Sequence, residues 1–175
     1  YLATNPSPLF SINGKVLDEN GKGMEGVTVT LSGLMSPIPT QTGADGSYTF
    51  RNLPTSGIYS LTATKTYYTF NTQNIRTPSG DLNLDFHAER VKYVISGNVG
   101  ISGAVVTLSG SSSGSATTGS DGKYSFTVDA GSAYTITPSK TNYTFSPANQ
   151  TFSNLSGNQT ANFSATLNRY VISGN

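Results

Sequence analysis

His87 is the single histidine of this 175-residue chain, and cysteine is absent. The lack of cysteine excludes thiol chemistry and Cys-ligated zinc. A metal at His87 would need further imidazoles or carboxylates converging on it. Neither half of the chain offers a His/Asp/Glu cluster at ligand spacing, so His87 reads as an ordinary residue near a strand end. Asp45 and Asp121 each precede a glycine, in Ala44-Asp45-Gly46-Ser47 and Ser120-Asp121-Gly122-Lys123. Calcium takes about six to eight oxygens; one carboxylate per turn suits a turn-stabilising role instead. Asp18-Glu19-Asn20 is richer in oxygen, but it stands among Gly and Lys and reads as a solvated turn. The second half of the chain has no histidine for a nucleophile–base–acid set. The alternation of small strands leaves no cleft for paired carboxylates of the glycosidase kind. The Gly/Ser run from Ser109 to Ser115 lacks the Lys-Ser/Thr and the helix of a phosphate loop, and reads as a flexible surface loop. The expectation is a chain with no catalytic, cofactor-binding or metal-binding residue, hence not an enzyme, and with no cofactor.

The elements that would hold such groups are organised as a repeat. Tyr170 to Asn175 (YVISGN) reproduces Tyr93 to Asn98, an interval of 77 residues (170 − 93 = 77) that also separates Leu31 from Leu108 and Phe86 from Phe163. A fixed period of this size signals tandem domains on one plan. Within each copy, apolar residues alternate with Thr, Ser or Asn, the period of a half-buried strand. Ile12, Gly14 and Val16 become Ile95, Gly97 and Val99; Val27, Val29 and Leu31 become Ala104, Val106 and Leu108. Tyr48 and Phe50, Tyr59 and Leu61, and Tyr68 and Phe70 likewise become Tyr124 and Phe126, Tyr134 and Ile136, and Tyr143 and Phe145. The first copy carries six extra residues, Asp18 to Gly23, between its first two strands; a surface loop absorbs these at little cost. The spacing predicts an all-β chain of two Ig-like sandwiches of about seven strands each, joined by a short stiff linker. The expected division is an N-terminal extension at 1–10, repeat 1 at 11–89, repeat 2 at 93–167, and the first strand of a further repeat at 170–175.

Charge is sparse, with 11% DEKR and a net charge of +1. No basic stripe points to nucleic acid, and no apolar run reaches transmembrane length. The opening residues read as a mature or trimmed start rather than a signal peptide. The Ser/Thr/Asn/Gly surface points to an extracellular or cell-surface location.

The motifs Gly26-Val27-x-Val29-x-Leu31, Thr42-x-x-Asp45-Gly46-x-Tyr48-x-Phe50-x-x-Leu53 and Gly57-x-Tyr59-x-Leu61 resemble carboxypeptidase regulatory-like repeats. These form a transthyretin-like (prealbumin-like) β-sandwich group related to the B-type stalk repeats of collagen adhesins. The second copy keeps Thr118-x-x-Asp121-Gly122-x-Tyr124-x-Phe126. The resemblance implies spacers, stalks and accessory modules of secreted enzymes. It also raises the internal Lys-to-Asn/Asp amide crosslink of some B-type repeats, for which Lys15 and Asp85 are the candidates. Alternation puts both on the outward face, whereas the reaction needs burial, and the second copy has Asn98 and Asn162 there; no crosslink is expected.

Two binding readings stay open beside the structural one. Glycan recognition uses exposed aromatic platforms; there is no Trp, and Tyr67 alone is out of phase with its neighbours. Asn-x-Ser/Thr occurs at Asn142, Asn149, Asn154, Asn158 and Asn162, acceptors only where the host has the machinery. The preferred reading is a non-catalytic extracellular repeat module of a stalk, adhesin or fibre, its partners being neighbouring repeats or other copies. The alternatives are an accessory module binding glycan or a surface protein, and a filament subunit whose terminal strand pairs with a neighbour.

Overall fold

The computed structural model describes residues 8–33, 36–76, 78–172 and 174, and every regular element among them is a β-strand. Among the described residues no helix is long and apolar enough to cross a membrane. The chain divides into two compact units, 1–90 and 91–175.

Unit 1 contains β1 (Leu9–Leu17), β2 (Thr28–Ser32), β3 (Ile38–Gln41), β4 (Ser47–Pro54), β5 (Ile58–Thr64), β6 (Tyr68–Thr69), β7 (Gln73–Arg76), β8 (Leu82–Asn83), β9 (Phe86–His87) and β10 (Glu89–Arg90). One sheet runs β4-β1-β8, with β9 continuing along β1; the other runs β3-β2-β5-β7. β1 and β4 are antiparallel, whereas β8 and β9 lie parallel to β1. The alternating side chains Ile12, Val16, Val29, Leu31, Tyr48, Phe50, Tyr59 and Leu61 close a single core between the sheets. The strands outnumber the expected seven because the last one breaks into short pieces and two edge strands, β3 and β7, carry no clear alternation.

Unit 2 repeats this plan with β11 (Lys92–Asn98), β12 (Val105–Gly110), β13 (Gly114–Thr117), β14 (Lys123–Asp129), β15 (Tyr134–Ser139), β16 (Tyr143–Ser146), β17 (Gln150–Phe152), β18 (Gln159–Thr160) and β19 (Ser164–Leu167). Its sheets run β14-β11-β18 and β13-β12-β15-β17, with β16 paired to β19. Ile95, Val106, Leu108, Tyr124, Tyr134, Ile136 and Phe163 fill its core.

The two ends of the chain and one loop carry detail beyond the alternation. On the N-terminal side β1 opens at Leu9, and Phe10 is buried with its ring edge-on to Tyr59 at 5.6 Å. Residues 1–7 lie outside the described residues. The Gly/Ser run at 109–115 is the tip of a hairpin rather than a flexible loop. Leu108 pairs with Gly114 and Thr107 with Ser115, and the Ser111 N–H donates to the Ala133 carbonyl. At the end of the chain, Tyr170, Val171 and Ile172 are exposed and belong to no strand. The identical hexapeptide forms β11 because β14 and β18 flank it there; a strand needs such partners for its backbone groups.

Candidate functional site

The groups singled out for chemistry are engaged in holding the backbone. Asp18 Oδ1 accepts from the N–H groups of Asn20 and Lys22, both at 2.9 Å, which closes the inserted turn. Asp45 accepts from the Ser47 N–H at 3.1 Å and faces Lys15 Nζ at 3.4 Å. Hydrogen bonds from Ser47, reinforced by Lys15, hold the Asp45 carboxyl down at about 2. Asp121 is lowered in the same way by the Lys123 N–H and ammonium. His87 is exposed at the end of β9, beside Thr69, Phe70, Asn71 and Glu89. Among the described residues no group of three or more His, Asp or Glu side chains could hold a metal ion.

Lys15 and Asp85 do meet, but through the wrong atoms for an amide crosslink. The Lys15 backbone N–H donates to Asp85 Oδ1 at 2.7 Å, while its ammonium turns to Asp45. One turn of the pattern earlier, the Ser11 N–H donates to Asp81 Oδ1 at 2.6 Å. In unit 2 the Val94 and Asn98 N–H groups donate to Asn158 Oδ1 at 2.8 Å and Asn162 Oδ1 at 3.0 Å. Side-chain oxygens thus complete the parallel ladder where the last strand breaks. An amide serves where a carboxylate serves, so the position needs an acceptor and not a charge. Asp85→Asn is expected to stay within about 0.5 kcal/mol of the parent in urea unfolding, and Asp85→Ala to cost about 1 kcal/mol, because only the latter removes the acceptor.

A tyrosine locks the same strand. Tyr48 O–H donates to the Leu84 carbonyl and Tyr124 O–H to the Ala161 carbonyl, matching positions of the two units. Both side chains are buried. Burial, with the Asp85 charge adding to it, pushes the Tyr48 hydroxyl upward. Burial alone pushes Tyr124 up to about 12 from 10.0. The folded form therefore holds these protons more tightly than the unfolded chain. The stabilisation is complete below the unfolded value and is lost as pH rises through 10 toward about 12. Urea midpoints followed across that window should fall together with the appearance of tyrosinate absorbance. Tyr48→Phe combined with Tyr124→Phe should be less stable at neutral pH but flatter in the alkaline range.

A surface recess of unit 1, 680 Å³, is lined by Gly26, Thr28, Thr64, Lys65, Thr66 and Tyr68 among others. Its counterpart in unit 2, 500 Å³, is lined by Gly103, Val105, Ser139, Lys140 and Thr141. In both, the lysine ammonium donates to a carbonyl of the loop before the second strand, Glu25 in one and Ser102 in the other. The tyrosine faces carry cations already: Arg90 stands 5.3 Å over Tyr68 and Lys140 stands 5.5 Å over Tyr143. Tyr67 is half-buried and takes φ +67°, as Asn142 takes +64° at the matching place. Its out-of-phase position in the sequence marks a left-handed turn residue, not an aromatic platform. The five Asn-x-Ser/Thr asparagines all lie exposed, and Asn158 and Asn162 are also the ladder acceptors described above.

The groups to which sequence reasoning gave no structural role are Asp81 and the buried Thr42 and Thr118. Thr42 Oγ1 accepts from the Val27 N–H and donates to the Met24 carbonyl; Thr118 Oγ1 does the same with Ala104 and Ile101. The available signal was their recurrence three residues before each Asp-Gly.

Residues 11–89 match the carboxypeptidase regulatory-like domain family. A chitinase of Flavobacterium johnsoniae, ChiA, is 32% identical over 176 residues, which are 94% of this chain and 11% of the chitinase. The Bacillus anthracis TIE protein shares the fold, with a TM-score of 0.70 at 17% identity over 89% of this chain and 34% of its own. The chain thus spans well under two thirds of either relative. Unit 1 thus carries the match to the carboxypeptidase regulatory-like domain, and unit 2 follows the same strand order without a counterpart of β9.

Proposed function

We propose that this chain is a non-catalytic structural or accessory module of an extracellular or cell-surface protein. The observation that carries the reading is the fate of its polar groups. Asp18, Asp45, Asp81 and Asp85 all accept backbone N–H groups, as do Asn158 and Asn162 in unit 2. Groups committed to the scaffold in both copies are not free to move protons or attack a substrate. What remains is a stable block repeated along a chain, suited to a stalk, adhesin or fibre. A filament assembled through Tyr170–Asn175 is the narrower form of the same reading.

The resemblance to a segment that is 11% of a chitinase supports a second reading, an accessory module beside a polysaccharide-degrading enzyme. Two measurements test the common core. Antibody labelling of intact cells, or detection in the culture medium, should find the protein outside the cytoplasm. The purified chain should show no turnover of soluble chito-oligosaccharides, other glycosides or peptides. Confinement to the cytoplasm, or turnover that survives repurification, would overturn the proposal.

A further inference from the structure

Charge is unevenly shared between the two sheets of each unit. The ion pairs Lys15–Asp45, Lys92–Asp129 and Lys123–Asp121 all lie on the sheet built around β1 or β11, or on the turns that feed it. The outer face of the other sheet is rich in hydroxyl groups, although in unit 1 it also carries Pro39, Gln41, Ile58, Asn74 and Arg76, and in unit 2 Val105. In unit 1, Thr28 sits opposite Thr64 and Thr30 opposite Thr62, on the side away from buried Val29, Leu31 and Leu61. In unit 2, Thr107 sits opposite Thr137 and Ser109 opposite Thr135, whose hydroxyl meets that of Thr151 at 3.0 Å. The four strands of this sheet in unit 2 contain no Asp, Glu, Lys or Arg. Those of unit 1 contain one, Arg76, at a corner opposite Ile58.

Strand propensity explains threonine on such a face. It does not explain the missing lysine and glutamate, which exposed sheets ordinarily carry for solubility and protection. The bias recurs in both units although the residues themselves change, Thr28 becoming Val105.

We propose that this face is an adsorption surface for an uncharged, hydroxyl-rich polymer, that is, a neutral polysaccharide. Rows of hydroxyl and methyl groups spaced about 4.8 Å across the strands and about 6.8 Å along them offer repeated donors, acceptors and apolar contact. A neutral polymer repeats the same kinds of group along its own length. A neutral polymer brings no ion that must lose its water; the nearby cations, Arg76, Lys65 and Lys140, stand at the margins of the face. The proposal goes beyond the spacer reading, since a spacer needs no adsorbing face.

The test is sedimentation of the purified chain with insoluble chitin and insoluble cellulose as probes. Saturable adsorption that changes by less than about twofold between low and molar salt is expected, because no charge pair carries it. Thr62→Glu combined with Thr137→Glu should weaken adsorption by about tenfold, by leaving a charge facing a neutral surface. The same change on the opposite sheet, Thr49→Glu with Ser125→Glu, should leave it within about twofold. Circular dichroism verifies folding, and lysine replaces glutamate at the same positions where a variant unfolds. Failure to adsorb to either probe, loss of adsorption in salt, or equal sensitivity on the two sheets would overturn the proposal. Such failure leaves the non-catalytic reading standing, because that reading is scored on turnover of soluble substrates and on location.

Discussion

Gly14→Ala is expected to destabilise unit 1 by about 3 kcal/mol, and Gly97→Ala to do the same to unit 2, the upper range for overpacking a site that cannot relax. A Cβ on Gly14 would lie 1.8 Å from the Leu84 carbonyl oxygen, and one on Gly97 would lie 1.8 Å from that of Ala161. These are backbone atoms of the parallel last strand, so a side-chain rotation cannot clear them. The strand cannot retreat either. The Leu84 N–H donates to the Asn13 carbonyl at 2.8 Å, Asp85 holds the Lys15 N–H, and Tyr48 holds the Leu84 oxygen itself. Relief of the clash must break at least one of these bonds. The measurement is urea unfolding of each variant, with Gly80→Ala and Gly157→Ala as controls, since nothing lies within 4 Å of a Cβ at either. Equal stability of the Gly14 and Gly80 variants would show that the last strand is not held against β1.

Thr42→Val and Thr118→Val are expected to cost about 2 kcal/mol each, although they keep shape and add only apolar surface. Each hydroxyl lies buried, at 4% exposure, and both accepts and donates. Valine leaves the Val27 N–H and Met24 carbonyl of unit 1 without that partner, and the Ala104 N–H and Ile101 carbonyl of unit 2 likewise. Water cannot replace the hydroxyl without opening the loop that leads into the second strand. Thr→Ser keeps the hydroxyl and should restore most of the loss, apart from the removed methyl group. Hydrogen exchange at Val27 and Ala104 would report the site directly. Fast exchange in the valine variants with slow exchange in the serine variants identifies the hydroxyl as the cause, and slow exchange in both would exclude it.

Both predictions concern positions that keep one job through duplication. Elsewhere the two copies differ where the physics permits. Asp81 and Asp85 give way to Asn158 and Asn162 because an acceptor oxygen suffices. Tyr67 gives way to Asn142, and asparagine is the less strained occupant of a left-handed position.

The sequence by itself determined the class, the repeat and most of the core. Ile12, Val16, Leu31 and Tyr59 on one side of the 77-residue interval, and their counterparts on the other, alternate cleanly because each strand buries a single face. The sequence could not show the edge strands. In β3, three of four residues are exposed and Pro39 interrupts the pattern; in β7 only Ile75 is buried. An edge strand packs too little apolar surface to leave a period. Only the tertiary structure decided that the last strand runs parallel to the first. That pairing joins residues about 70 positions apart, and it turns Gly14, Asp81, Asp85 and Tyr48 from unremarkable letters into one lock. It also separated the charged sheet from the hydroxyl sheet, because which strands share a face depends on pairing order, and period-two alternation is blind to it.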